Sequence, residues 1–286
     1  MEILVTPFLS NGFMVDALIA GIVVSVACAI VGTFVVLRGL AFIGDALAHG
    51  VLPGIAVALL LGVPGILGAA AASLVMVGGI GYVTRRSHLS NDTAIGLFFV
   101  GMLALGVVIV SRSKSFSGDL VRVLFGELLG ITRRDILVQL VATAVLAGTA
   151  MICHRPFLLL CFDPEQAAVS GFSAPLFHGI ILAMIALTVI VSFQTVGTML
   201  VFGMLLAPSA TSALFSRRIV TMMAFAAGLG AVSVMAGLLV SYHFDLAAGA
   251  SITLVATFLF FTCFAVARLA RRRWPRGRLT PGGEPS

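Results

Sequence analysis

Within an otherwise apolar stretch, Gly44-Asp45-Ala46-Leu47-Ala48-His49 carries a carboxylate and an imidazole four residues apart. On a helix, positions i and i+4 share a face, so Asp45 and His49 can converge on one spot. Carboxylate oxygen and neutral ring nitrogen together form a borderline donor set suited to zinc or manganese. Two donors make a weak site, which suits a passage that has to release what it binds. A charged group in membrane-embedded sequence costs ~2.5 to 3.5 kcal/mol on insertion scales, so it persists where it faces a partner, a wet cavity or a travelling ion. The plain alternative makes Asp45 an N-cap for the following helix, with His49 snorkelling to the surface.

Other chemistry-bearing residues are fewer and more ambiguous. Asp92 is a second candidate metal ligand or gate, but Ser90, Asn91 and Asp92 before an apolar run equally form a capping cluster. His243 and Asp245, beside Tyr242, could receive a metal ion at the outer face, or belong to a solvated turn. His88, His154 and His178 are expected in surface or interface roles. Cys28, Cys153, Cys161 and Cys263 lack the spacing of a thiolate metal site or disulfide framework. Gly78 to Gly81 is glycine-rich but lacks the Lys-Ser/Thr ending of a phosphate-binding loop, so any ATP has to be hydrolysed by another chain.

The elements that position these residues follow from composition. Of 286 residues, 60% are hydrophobic and 10% charged, against an apolar fraction of about 45 to 50% in soluble domains. This is an all-α, polytopic membrane protein. Apolar runs place nine spans, at 17–37, 45–61, 66–83, 94–111, 136–153, 176–193, 196–214, 219–241 and 247–267, or eight if the two flanking Gln194-Thr195 merge. With the N-terminus outside, the inner loops carry twelve of the seventeen basic residues, which favours a cytoplasmic C-terminus. The net charge of +6 therefore serves orientation; no basic stripe interleaved with aromatics suggests nucleic acid.

Residues 1–14 form an interfacial segment with Pro7 and Asn11-Gly12 as breakers, 15–270 the bundle, and 271–286 a basic, Pro/Gly-rich tail expected to be disordered, with Trp274 at the membrane surface. The N-terminus lacks the basic region of a cleavable signal. Between the fourth and fifth spans, Leu120, Leu124, Leu128 and Ile131 suit one face of a short packed helix. Pro53, Pro64 and Pro208 are candidate kinks, and Gly78, Gly79, Gly81, Gly228 and Gly230 candidate points of close helix approach. With the first turn at Arg38, Asp45 is expected near the inner end of the second span, unless Gly39 and Gly44 carry the chain back into the membrane.

Phe34-Val35-Val36-Leu37-Arg38, leading into Phe42-Ile43-Gly44-Asp45-Ala46-Leu47-Ala48-His49, resembles the membrane permeases of bacterial zinc and manganese ABC importers. The resemblance continues through Asn91-Asp92-Thr93-Ala94-Ile95-Gly96, Leu124-Phe125-Gly126-Glu127-Leu128-Leu129, and Asp163-Pro164-Glu165 up to Gly171. Val196-Gly197-Thr198-Met199-Leu200 through Ala207-Pro208, and Tyr242-His243-Phe244-Asp245 before Ala248-Gly249, complete it in collinear order.

The resemblance implies a bundle of the type II ABC importer kind in the bacterial cytoplasmic (inner) membrane. It implies a homodimer on two cytoplasmic ATP-binding subunits, fed by an extracytoplasmic metal-binding protein. The chain is then a non-catalytic subunit with no resident cofactor, and Zn2+ or Mn2+, zinc preferred, is its cargo. Asp45 and His49 match the residues thought to touch the ion in transit, the second copy completing the site. The coupling helix corresponds to Phe162–Ser173, with Asp163, Glu165 and Gly171. Two other readings stay open: a proton-coupled secondary transporter with Asp45 carrying the proton, and an ABC permease for a siderophore or cobalamin chelate.

Overall fold

The computed structural model describes residues 12–87, 90–111 and 131–273. Among these residues twelve helices follow one another: α1 (Gly12–Leu37), α2 (Ala41–Gly50), α3 (Leu52–Leu60), α4 (Gly65–Arg86), α5 (Asn91–Ser111), α6 (Arg133–Ile152), α7 (His154–Phe162), α8 (Pro164–Val169), α9 (Ala174–Val196), α10 (Thr198–Phe215), α11 (Ile219–Phe244) and α12 (Ala248–Arg273). No strand occurs among the described residues. A chain crossing lipid has to satisfy its backbone polar groups internally, and helices do so within one segment.

Among the described residues nine helical stretches are long and apolar enough to cross a membrane, α2 and α3 together forming the second. All nine expected spans are present. Gly197, with φ at +78°, separates α9 from α10 and rules out the merged reading. Gly12 to Met14 already belong to α1, and α12 runs on through Arg271–Arg273. Residues 1–11 and 274–286, with Trp274, lie outside the described residues, as do Leu120, Leu124 and Leu128 of the expected short helix.

The bundle is organised around α1. Together with α2–α3 it is the most enclosed span, while α6 and α12 are the least. Gly21 faces Val234 and Gly230 faces Ser25, so α11 runs antiparallel along α1. Cys28 lies by the Val201 carbonyl and Gly32 by that of Leu205, so α10 runs parallel to it. At Gly32 an added Cβ would run into the Leu205 carbonyl oxygen, and Gly54 and Gly68 confront each other's carbonyls across α3 and α4. Without a hydrophobic drive between helices in lipid, such close approach is what packs the bundle. Of the glycines singled out in the sequence, Gly79 meets Phe98 and Gly230 meets Ser25, whereas Gly78, Gly81 and Gly228 have open space where a Cβ would stand. That corrects the expectation for these three.

Alternating helix direction gathers Arg38, Arg86, Arg155, Arg217, Arg218 and Arg268 at one end, called the basic end below. Pro53 sits in the first turn of α3, just after the break at Val51, Pro64 immediately precedes α4, and Pro208 is buried inside α10.

Candidate functional site

The turn into α2 is a Schellman motif. Gly39 takes the left-handed conformation at φ +66°, and the Leu40 N–H donates to the Val35 carbonyl at 2.9 Å. The chain therefore re-enters the bundle at Gly39. Gly44 has a different role: it seats α2 against Leu205 and Phe202 of α10, whose atoms would stand 3.1 and 3.4 Å from an added Cβ. Ile43, Ala46, Leu47 and Gly50 are buried, which leaves Phe42, Asp45 and His49 on the open face of α2.

Asp45 Oδ1 and His49 Nε2 lie 3.5 Å apart, with 31% and 25% of their side-chain surfaces exposed. Leu40 is the N-cap of α2 and offers no side-chain cap, so Asp45 stands a full turn inside the helix and is not an N-cap. At ~1.5 Å rise per residue, Asp45 and His49 lie roughly 6 and 12 Å beyond Ala41, inside the second candidate span Ala41–Leu60. Both open into a cavity of about 440 Å³ that runs along α5 past Phe99, Leu103 and Val107 to Ser111, at the end of α5 opposite the basic end. Phe99 forms its near wall, with ring centroids 6.1 Å from His49 and 5.5 Å from Phe42. The pair is thus the polar floor of an otherwise largely apolar groove.

The other sequence candidates do not join it. Asp92 is exposed in the first turn of α5 at the basic end, where the Thr93 N–H donates to Ser90 Oγ at 3.2 Å. A carboxylate there complements the helix dipole. His243 and Asp245 are exposed at the far end of α11; His243 Nδ1 bonds the Leu239 carbonyl at 2.8 Å, and Asp245 ends the helix at φ +52°. Among the described residues no three His, Cys, Asp or Glu side chains gather as a metal cluster.

The segment Phe162–Ser173 contains α8. Asp163 Oδ1 accepts from the Gln166 N–H at 3.0 Å, and Gly171, at φ +82°, closes the helix as the Phe172 N–H reaches the Ala167 carbonyl at 3.0 Å. The Glu165 side chain lies outside the described residues. From this segment a file of rings leads inward: Phe172 to Phe177 at 5.7 Å, Phe177 to Phe157 at 6.3 Å, Phe157 to Phe34 of α1 at 5.0 Å.

Beside that file stands a contact the sequence does not show. Arg38 Nη1 lies 3.1 Å from His178 Nδ1, across 140 residues. Burial lowers the pKa of Arg38, and burial likewise pushes the nearby Cys161 thiol up to about 11, which the Arg38 charge only partly offsets. In the sequence Arg38 registers as an orienting charge and His178 as a surface residue; no local spacing links them.

The sequence matches the ABC 3 transport family over residues 10–267. It is 37% identical over 256 residues to the manganese transport system membrane protein MntC of Listeria innocua, covering 90% of this chain and 91% of that one. With a probable iron transport system membrane protein of Haemophilus influenzae it shares 35% identity over 260 residues, 91% of this chain and 96% of that one. The fold superposes on a chain of PsaBC from Streptococcus pneumoniae, solved in complex with Fab, with a TM-score of 0.82 and 31% identity over 95% of this chain and 99% of that chain. With the nine spans and the collinear family match, the chain belongs to the ABC 3 transport family and is a metal-ion ABC permease.

Proposed function

We propose that this chain is the transmembrane subunit of an ATP-driven importer for a divalent first-row transition metal, and that Asp45 and His49 touch the ion in transit. The observation that carries the reading is the partly exposed acid–imidazole pair on the floor of a groove that starts inside the second span. Carboxylate and imidazole suit manganese, iron and zinc alike. The sequence alone put zinc first; the names of the relatives support manganese and iron, so manganese is the first cargo to test.

With the basic end in the cytosol, the groove opens toward the outside, where a metal-binding protein delivers the ion. Two donors leave most of a cation's coordination to water, carbonyls or a second copy of the chain. ATP is hydrolysed by separate subunits that press on α7 and α8. Asp163 holds the start of α8, and the ring file from Phe172 to Phe34 links it to α1, whose end leads into α2.

The test is isotope uptake into proteoliposomes holding the permease, its ATPase subunits and the binding protein, with manganese, iron and zinc in competition. Asp45→Ala with His49→Ala should abolish uptake while assembly persists. Uptake that survives in the double variant, or wild-type uptake without the ATPase driven by a proton gradient, would overturn the proposal.

A further inference from the structure

A second cavity, of about 750 Å³, lies between the basic ends of α4 and α9 and shares no lining residue with the groove of Asp45 and His49. Its rim carries two positive charges, Arg38 at the end of α1 and Arg86 at the end of α4, with His178 on the second turn of α9 within hydrogen-bond distance of Arg38. Among the described residues none that lines it is acidic, and neither arginine makes an ion pair with a described carboxylate. Arg86 lies over the Tyr82 ring, 5.8 Å from its centroid, and Tyr82 is largely exposed on the outer surface of the bundle.

Deeper, the walls turn apolar at Val77 and Leu182. Val77 lies nine residues back from Arg86 along α4, so the crevice reaches roughly 13 Å into the hydrocarbon. Gly78, Gly81 and Gly179 also line it, and at each an added Cβ would meet nothing within 4 Å. These glycines therefore keep a crevice open where close-approach glycines elsewhere in the bundle bring helices together. A basic rim at the membrane surface above an apolar slot matches an amphiphile with an anionic head and an acyl tail; a free anion would use the rim alone.

We propose that the crevice between α4 and α9 is a binding site for an anionic phospholipid, its phosphate held by Arg38 and Arg86 and an acyl chain lying along Gly78 and Gly179. Because Arg38 also holds His178 beside the Phe172–Phe177–Phe157 file, the lipid would brace the segment through which the ATPase acts. The site depends on the membrane setting of the bundle and not on which ion the permease carries.

The test is native mass spectrometry of the permease purified with its ATPase subunits and delipidated, then titrated with phosphatidylglycerol, phosphatidylcholine or inorganic phosphate. Wild type should retain phosphatidylglycerol about tenfold better than phosphatidylcholine, and Arg86→Gln should weaken that retention about fivefold. Gly179→Leu fills open space, so it should leave the thermal unfolding midpoint unchanged while removing the bound lipid. Equal retention of both lipids, undiminished phosphatidylglycerol in Gly179→Leu, or displacement of the lipid by millimolar phosphate would overturn the proposal. So would loss of the ATPase subunits from Arg86→Gln with lipid binding intact, which would assign the basic rim to that partner.

Discussion

Replacing Gly39 by alanine and, separately, by asparagine isolates the cost of the turn that sets α2 on its course. Gly39 sits at φ +66° with nothing within 4 Å of an added Cβ, so the penalty is conformational and not steric. An L-residue in the left-handed region loses about 1 to 2 kcal/mol, and the stiffer unfolded chain returns about 0.4 to 1 kcal/mol of it. Gly39→Ala should therefore destabilise by roughly 1 kcal/mol net, and Gly39→Asn by about half that, since asparagine tolerates this conformation. Gly32→Ala provides the contrast. Its Cβ would run into the Leu205 carbonyl and Ser209 Oγ, so α1 and α10 have to part, an overpacking cost of about 1 to 3 kcal/mol.

Reversible unfolding in mixed detergent micelles, followed by far-UV circular dichroism, should rank the losses as Gly39→Asn, then Gly39→Ala, then Gly32→Ala. Metal uptake should follow the folded fraction in both Gly39 variants, because neither moves the pair on the open face of α2. If asparagine costs as much as alanine at position 39, or Gly32→Ala proves harmless, the distinction between a turn glycine and a packing glycine fails.

Asp163→Ala removes the acceptor for the Gln166 N–H, about 1 kcal/mol of local helix stability, and should lower metal-stimulated ATP hydrolysis in a complex that still assembles; Asp163→Asn, which caps as well, should restore it. Full stimulation in the alanine variant would count against a coupling role for α8. In a variant keeping only Cys161, thiol alkylation should rise with a midpoint near pH 11 rather than the ~8.5 of a free cysteine, so on the order of one thiol in a thousand is ionised at pH 8. Arg38→Gln removes the charge that favours the thiolate and should move that midpoint further up; a midpoint at the free-cysteine value would show Cys161 to be solvated.

How much of this was legible in the sequence depends on the range of the signal. Nine spans could be read because each is a local run of apolar residues, and the Asp45–His49 face because four-residue spacing is a property of one helix. The turns at Gly39 and Gly171 were likewise open to local reading, since glycine is where left-handed backbone is expected, whereas the sequence left one span or two open around Gln194-Thr195, where the structure breaks at Gly197. Contacts between helices were not. Gly78 and Gly81 stood out in the sequence as candidate contacts and Gly32 and Gly54 did not, yet the latter two touch a neighbouring backbone and the former two border a crevice. Arg38 and His178 meet across 140 residues, and only the arrangement of α1 against α9 brings them together. Residues Ser90 to Asp92 read in the sequence as a cap or a gate, and the structure adds that Ser90 accepts the Thr93 N–H.

The central claim is that the ion touches Asp45 and His49 on its way through. The most direct measurement is pulsed electron paramagnetic resonance of Mn2+ held in the assembled complex, trapped with vanadate after metal delivery. The account predicts modulation from a directly bound histidine nitrogen that disappears in His49→Ala, and a bound-metal yield that falls in Asp45→Ala. A manganese signal of unchanged yield and unchanged nitrogen coupling in the double variant would place the passage elsewhere in the bundle and contradict the account.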